Sequence, residues 1–132
     1  GCIRQKLEQT VRDKRIQRVS FTGQVNHPEE YYKSAKIILL TSSFEGFPMC
    51  LIEALRFGVI PLTFDISAGV RSIVSNSGGI IIKNRNSNEM FLKLQELINN
   101  KYLHSLSEKA RLKSNRYTLN RIGEQWINLL RK

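Results

Sequence analysis

Residues 36–64 read KIILLTSSFEGFPMCLIEALRFGVIPLTF. Two apolar runs, 36–41 and 59–64, bracket a stretch with helical spacing that closes near Gly58. The first run is apolar on both faces, as a buried parallel strand is. Two strands joined by a helix of this length are parallel, because only a long crossover returns the chain to the same end of a sheet. Pro61 lies inside the second run, which predicts a strand start or an edge-like position for it.

The same alternation extends outward. Residues 3–15, IRQKLEQTVRDKR, read as a polar helix with Ile3, Leu7 and Val11 four apart. VSFT, 19–22, reads as a short strand closed by Gly23. Residues 27–35, HPEEYYKSA, open a helix: Pro28 suits its first position, and Glu29 and Glu30 complement the dipole. Beyond the central unit come a short helix, AGVRSIVSN (68–76), and a fourth strand, GGIIIK (78–83). Three helices finish the chain. NEMFLKLQELINN (88–100) places Phe91, Leu94, Leu97 and Ile98 on one face. SLSEKARLKS (105–114) opens with a capping box, Ser105 and Glu108. TLNRIGEQWINLL (118–130) places Leu119, Ile122, Trp126, Leu129 and Leu130 on one stripe. The class is α/β with a doubly wound parallel sheet, helices on both faces and a C-terminal run of three helices.

Composition bounds the function. The chain has 132 residues, enough for one domain with a core, and its hydrophobic fraction of 41% excludes a disordered polymer. No window approaches the roughly 20 apolar residues of a membrane span, and GCIRQKLEQ carries no signal-peptide core. Cys2 and Cys50 form neither a disulfide framework nor a zinc set, and read as reduced thiols. The net charge is +10, from 21 basic and 11 acidic residues. That charge invites phosphate-bearing partners: nucleic acid, nucleotides or an anionic membrane surface. The cations are spread out, however, and the clusters at 12–18 and 109–116 read as solvated helix faces.

Ligands of such sheets bind outside the carboxyl ends of the strands. The loops to inspect therefore begin at Gly23, Thr41, Asp65 and Lys83. The loop after IILLT is SSFEGFP. Pro48 fits the first turn of the next helix, leaving the amides of Met49, Cys50 and Leu51 free at a helix N-terminus, a place that favours a phosphate. Gly46 allows close backbone approach. Glu53 then stands roughly 7 Å along the helix axis, and Glu45 stays in the loop on the other side of the helix start. A carboxylate is a poor phosphate partner but a good acceptor for vicinal hydroxyls. The layout of carboxylate, anion site and carboxylate matches a nucleotide-sugar: ribose, diphosphate, hexose.

These residues resemble the C-terminal, donor-binding domain of retaining glycosyltransferases with the GT-B fold, the "glycosyl transferases group 1" type. The resemblance is carried by VSFTG, by YYKSAKIILLTSSFEGFPMCLIEALRFGVIPLTFD, by SGGIIIK and by TLNRIGEQWINLL, nearly the whole chain. It implies a Rossmann-like fold and roles for individual residues. Glu45 would be the catalytic-site carboxylate and hold hydroxyls of the donor hexose. Gly46 and Phe47 would offer amides to the sugar, and Met49 and Cys50 to the diphosphate. Glu53 would take the ribose hydroxyls, and Val25 and Asn26 would lie on the base side. The loop from Asp65 to Gly69 would flank the donor. The family's Glu after its Gly-Gly pair is not matched at Val70-Arg71, so no role passes to Arg71.

The resemblance further implies a UDP- or GDP-linked sugar donor, no cofactor and no metal. It implies a cytoplasmic setting extending to the inner face of the membrane, and polysaccharide or glycolipid synthesis. Contact with an anionic membrane fits the charge; nucleic acid is not the expected partner. Residues 1–132 would form one nucleotide-sugar-binding domain, the C-terminal half of a two-domain enzyme whose first strands and N-terminal domain lie upstream. Those two strands would run between VSFTG and IILLT, so this chain would have a gap or an altered arrangement in its sheet, and no transferase activity alone. Two alternatives remain: a nucleotide-sugar epimerase of the same fold, and a non-catalytic basic binding module.

Ordinary readings apply to the other reactive side chains. His27 reads as a surface or capping residue, and His104 has no partner in sequence. Cys50 sits where a helix lowers a thiol's pKa, but no His and Asn are placed to serve it. Tyr102, Tyr117 and Trp126 read as core or interface.

Overall fold

A computed structural model of the chain describes residues 3–131. In chain order the elements are α1 (Arg4–Asp13), α2 (Glu29–Ser34), β1 (Ile37–Leu40), α3 (Met49–Arg56), β2 (Ile60–Phe64), α4 (Ala68–Val74), β3 (Ile80–Ile82), α5 (Ser87–Ile98), α6 (Leu103–Ser114) and α7 (Leu119–Leu130). Single 3-10 turns occupy Lys83–Arg85 and Asn115–Tyr117. The three strands are parallel, in the order β1-β2-β3, with Ile37 opposite Ile60 and Leu62 opposite Ile80.

β2 is central, and all five of its residues are buried. Its odd and even positions face different layers. Ile60, Leu62 and Phe64 pack with Ile82, Met90 and Leu97 beneath α5. On the other face Leu40 packs with Leu51 and Leu55 of α3, Val70, Ile73 and Val74 of α4, and Ala110 of α6. Helices thus cover both faces, as expected of an α/β layer fold. Pro61 is tolerated in this central strand because of register. The Ile60 N–H donates toward β1, to Lys36 O at 2.9 Å, so the next nitrogen, that of Pro61, points the other way. β3 joins only from Leu62 onward, and no ladder donor is lost.

Gly58 ends α3 as its spacing predicts. Its φ is +76, the Gly58 N–H donates to Leu55 O at 2.9 Å, and the Val59 N–H donates to Ala54 O at 3.0 Å. These two bonds form a Schellman cap and turn the chain directly into β2.

Three expectations are corrected. VSFT forms no strand. A strand exists through its ladder, and β1 presents an outer edge with no paired strand among the described residues; the Arg4 guanidinium instead donates to Phe21 O at 2.9 Å. In α5 the buried face is Met90 and Leu97 with Leu94 beside them, whereas Phe91 and Ile98 are exposed; the heptad offset from 90 to 97, not from 91 to 98, meets β2. The Ser105–Glu108 capping box does not form, because α6 starts earlier. Asn100 Oδ1 accepts the Tyr102 amide at 2.7 Å, and Ser105 lies inside the helix. Of the two readings of the α7 stripe, core or interface, its exposure leaves interface: Leu119, Trp126, Leu129 and Leu130 are all exposed.

Candidate functional site

The site lies where β1 delivers the chain to α3. α3 begins at Met49, with Pro48 as the extended residue before it. Pro48 is buried at this helix start. One of the three amides expected to be free is not: the Leu51 N–H donates to Pro48 O at 3.2 Å. This tight first turn leaves Met49 and Cys50 as the forward donors at the helix N-terminus.

The loop ahead of that turn is held from α4. Ser67 caps α4, accepting the Val70 N–H at 3.1 Å, and its hydroxyl donates to Gly46 O at 3.3 Å. Gly69 permits this close approach, since a Cβ there would overlap the Gly46 carbonyl. Phe47 meets Tyr117 edge-on with ring centroids 6.0 Å apart, and the Tyr117 hydroxyl donates to Ser72 O at 3.3 Å. The loops after β1 and β2 are therefore one assembly.

Glu45 is half-buried in this loop, and Glu53 is exposed on α3. Both act on the thiol between them. Burial pushes the Cys50 pKa up, and the carboxylates of Glu45 and Glu53 push it further, outweighing the nearby amides. The carboxylate, helix start and carboxylate thus stand in the expected order, and Cys50 is held as a thiol rather than an activated nucleophile.

Glu53 has a partner. The Tyr32 hydroxyl, from α2, donates to Glu53 Oε2 at 3.2 Å. Tyr32 stacks on Phe57, centroids 6.0 Å apart. Burial, then the charge of Glu53 and its hydrogen bond, push the Tyr32 pKa up to about 12. Tyr32, Glu53, Arg56, Phe57 and Arg111 line a cavity of about 570 Å³ together with Pro28 and Glu29. A second cavity of about 540 Å³ lies on the other side of Glu53 and Arg56, against Tyr117 and Leu119. Glu53 therefore stands on a rib between two hollows. Val25 is half-buried and Asn26 exposed; neither lines these cavities, though Pro28 does.

Asp65, after β2, pairs with Arg71 of α4 at 2.6 Å. His27 is exposed and contacts Glu29 at 3.1 Å, a surface role. His104 lines only a shallow hollow with Lys33, Lys36 and Arg111. No set of three metal-ligating side chains occurs among the described residues, and none of their helices is long and apolar enough to cross a membrane. Cys2 lies outside the described residues. Tyr32 and Arg85 escape sequence reading as site residues, because each meets α3 or the loop only through tertiary contact; Ser67 lies within the Asp65–Gly69 loop expected beside the donor.

Comparison with known proteins identifies the family. The model of the family "Glycosyl transferases group 1" matches residues 4–115. A glycosyltransferase of Haemophilus influenzae is 37% identical over 114 residues, 85% of this chain and 32% of that protein. The poly(ribitol-phosphate) alpha-N-acetylglucosaminyltransferase of Staphylococcus aureus is 31% identical over 98% of this chain and 27% of its own length. The crystal structure of TarM superposes with a TM-score of 0.84 at 30% identity, over 100% of this chain and 27% of TarM; a further TarM structure contains UDP. The chain spans about a third of the length of the curated relatives it matches. The Rossmann-like layers, the β1–α3 junction and the match over residues 4–115 agree on one conclusion: this chain belongs to the glycosyl transferases group 1 family.

Proposed function

We propose that the chain is the donor-binding half of a glycosyltransferase that moves a hexose from a nucleotide-diphosphate sugar to a hydroxyl acceptor with retention. The observation that carries this reading is the order Glu45, free helix N-terminus, Glu53 at the carboxyl end of β1, with Tyr32 holding Glu53 at 3.2 Å. Glu53 accepts the ribose hydroxyls. The amides of Met49 and Cys50 face the diphosphate, and Glu45 with the amides of Gly46 and Phe47 takes the hexose. Val25 and Asn26 approach the base. The helix dipole and its amides oppose the negative charge that builds on the departing diphosphate. Interactions that strengthen as that charge grows lower the barrier more than they raise affinity.

Residues 1–132 act as one domain of a two-domain GT-B enzyme. The partner domain supplies the acceptor site, and upstream strands complete the sheet along the outer edge of β1. The isolated chain then has no transferase activity. The UDP held by a TarM structure supports a uridine donor, with GDP as the other candidate. The charge of +10 suits work near an anionic membrane in the cytoplasm, or an acceptor carrying phosphate, as the name of the Staphylococcus aureus relative describes for that enzyme.

Titration of the chain with UDP and GDP tests the reading. Saturable binding that fades in Glu53→Ala is expected. Binding set by salt alone and indifferent to Glu45 and Glu53 would mark a basic binding module instead. Turnover of a sugar donor by the isolated chain would refute its role as a half-site.

A further inference from the structure

We infer that Arg85 is a positioning residue for the loop at 42–48, setting the hexose end of the site without touching the donor; its effect on a donor rests on the function proposed above.

The backbone is the first indication. Asn84 and Arg85 are consecutive non-glycine residues at φ +53 and +49. Side chains rarely adopt this left-handed region, and such residues persist where surrounding contacts hold them. The turn they form, Lys83–Arg85, follows β3 and sends the Arg85 side chain back across the carboxyl ends of the sheet.

Its contacts show the result. The guanidinium carbon lies 5.2 Å from the centroid of the Phe64 ring, the last residue of β2. Nη1 donates to Ser42 O at 2.9 Å, and Nη2 reaches Thr41 O at 3.5 Å. Thr41 and Ser42 are the first two residues after β1. One planar cation therefore joins the carboxyl ends of all three strands. Two successive carbonyls and an aromatic face suit the arginine fork; a lysine ammonium would satisfy one carbonyl and stack poorly.

The far end of the loop is fixed independently, by buried Pro48 and by the Ser67 hydroxyl on Gly46 O. Between these anchors lie Phe44, which is 81% exposed, and Glu45. Among the described residues, the Arg85 fork supplies the hydrogen bonds between the start of the loop and the turn after β3. Glu53, by contrast, is placed by α3 and Tyr32. Arg85 thus acts on the carboxylate assigned to the hexose and not on the one assigned to ribose.

Two measurements on the 132-residue chain test this. The first is backbone nitrogen-15 relaxation without ligand. Arg85→Ala should lower the order parameters of the 43–47 amides below about 0.6, the flexible range. Arg85→Lys should lower them less, and both variants should leave α3 and β2 unchanged. Unchanged order parameters at 43–47 overturn the contact whatever the chain binds. The second is paired titration with UDP and UDP-N-acetylglucosamine. Arg85→Ala should remove most of the affinity that the sugar adds, while UDP binding stays within about twofold. Equal loss for both ligands, tracking a lower melting temperature, would make Arg85 a stability residue and overturn the inference. If the unmodified chain binds neither ligand, the donor role falls with the proposed function, and the relaxation measurement alone decides whether Arg85 holds the loop.

Discussion

The Tyr32 hydroxyl donates to Glu53 Oε2 across 3.2 Å, joining α2 to α3 at the rim of a hollow of about 570 Å³. The bond orients one carboxylate oxygen and leaves the other for a ligand. Phe57 supports it by stacking on the Tyr32 ring. Two residues 21 apart in sequence thereby form one device.

Tyr32→Phe should keep the ring and lose the bond. We expect nucleotide affinity to fall about threefold to tenfold, with little change in stability, because a single partly exposed hydrogen bond contributes about 1 kcal/mol. Calorimetric titration with UDP, paired with thermal unfolding, separates the two effects.

The same tyrosine predicts a pH dependence. Its pKa rises to about 12 in the folded chain, chiefly through burial and then through Glu53. Between an ordinary value of 10 and 12 the folded state keeps a proton that the unfolded state has released. Stability contributed by this group is therefore whole below pH 10 and is lost as pH rises toward 12. Denaturant unfolding over that range should show a shallower decline in Tyr32→Phe, and ultraviolet titration of Glu53→Gln should show one tyrosine titrating nearer 10.

The Schellman cap makes Gly58 a stability position. Alanine there must adopt a φ of +76, and its methyl group would press on Ser107 and Arg111. Gly58→Ala should cost about 1–2 kcal/mol, read from the denaturation midpoint at unchanged slope.

How much of this was legible in sequence depends on the range of the interaction. The β1–α3–β2 unit was, because local chemistry writes it: an apolar run, Pro48 before the first turn, Gly58 after the last. The positions of Glu45 and Glu53 on either side of the helix start followed from the same punctuation. Tyr32 was not legible as a site residue, since nothing in HPEEYYKSA distinguishes a tyrosine that reaches Glu53 from one that faces solvent, as Tyr31 does. Arg85 lies 43 residues from Ser42, and only the sheet order brings them together. VSFT misled because β propensity needs a ladder partner. The Ser105–Glu108 pattern misled because Asn100 begins the turn first.

Ser67 tests whether the two strand-end loops act as one. It caps α4 and holds Gly46 O. Ser67→Ala should destabilise the chain by about 1 kcal/mol, an ordinary N-cap loss, and should also lower the backbone order parameters of 44–47. Destabilisation without added loop motion would mean that the cap matters and the contact to Gly46 does not.

The central claim is that two carboxylates divide one donor, Glu53 taking the nucleoside and Glu45 the sugar. Its most direct test is calorimetric titration of the unmodified chain, Glu53→Ala and Glu45→Ala with UDP and with UDP-N-acetylglucosamine at fixed salt. The account predicts that Glu53→Ala weakens both ligands about tenfold or more, whereas Glu45→Ala weakens only the sugar nucleotide. Equal binding by all three proteins would contradict it.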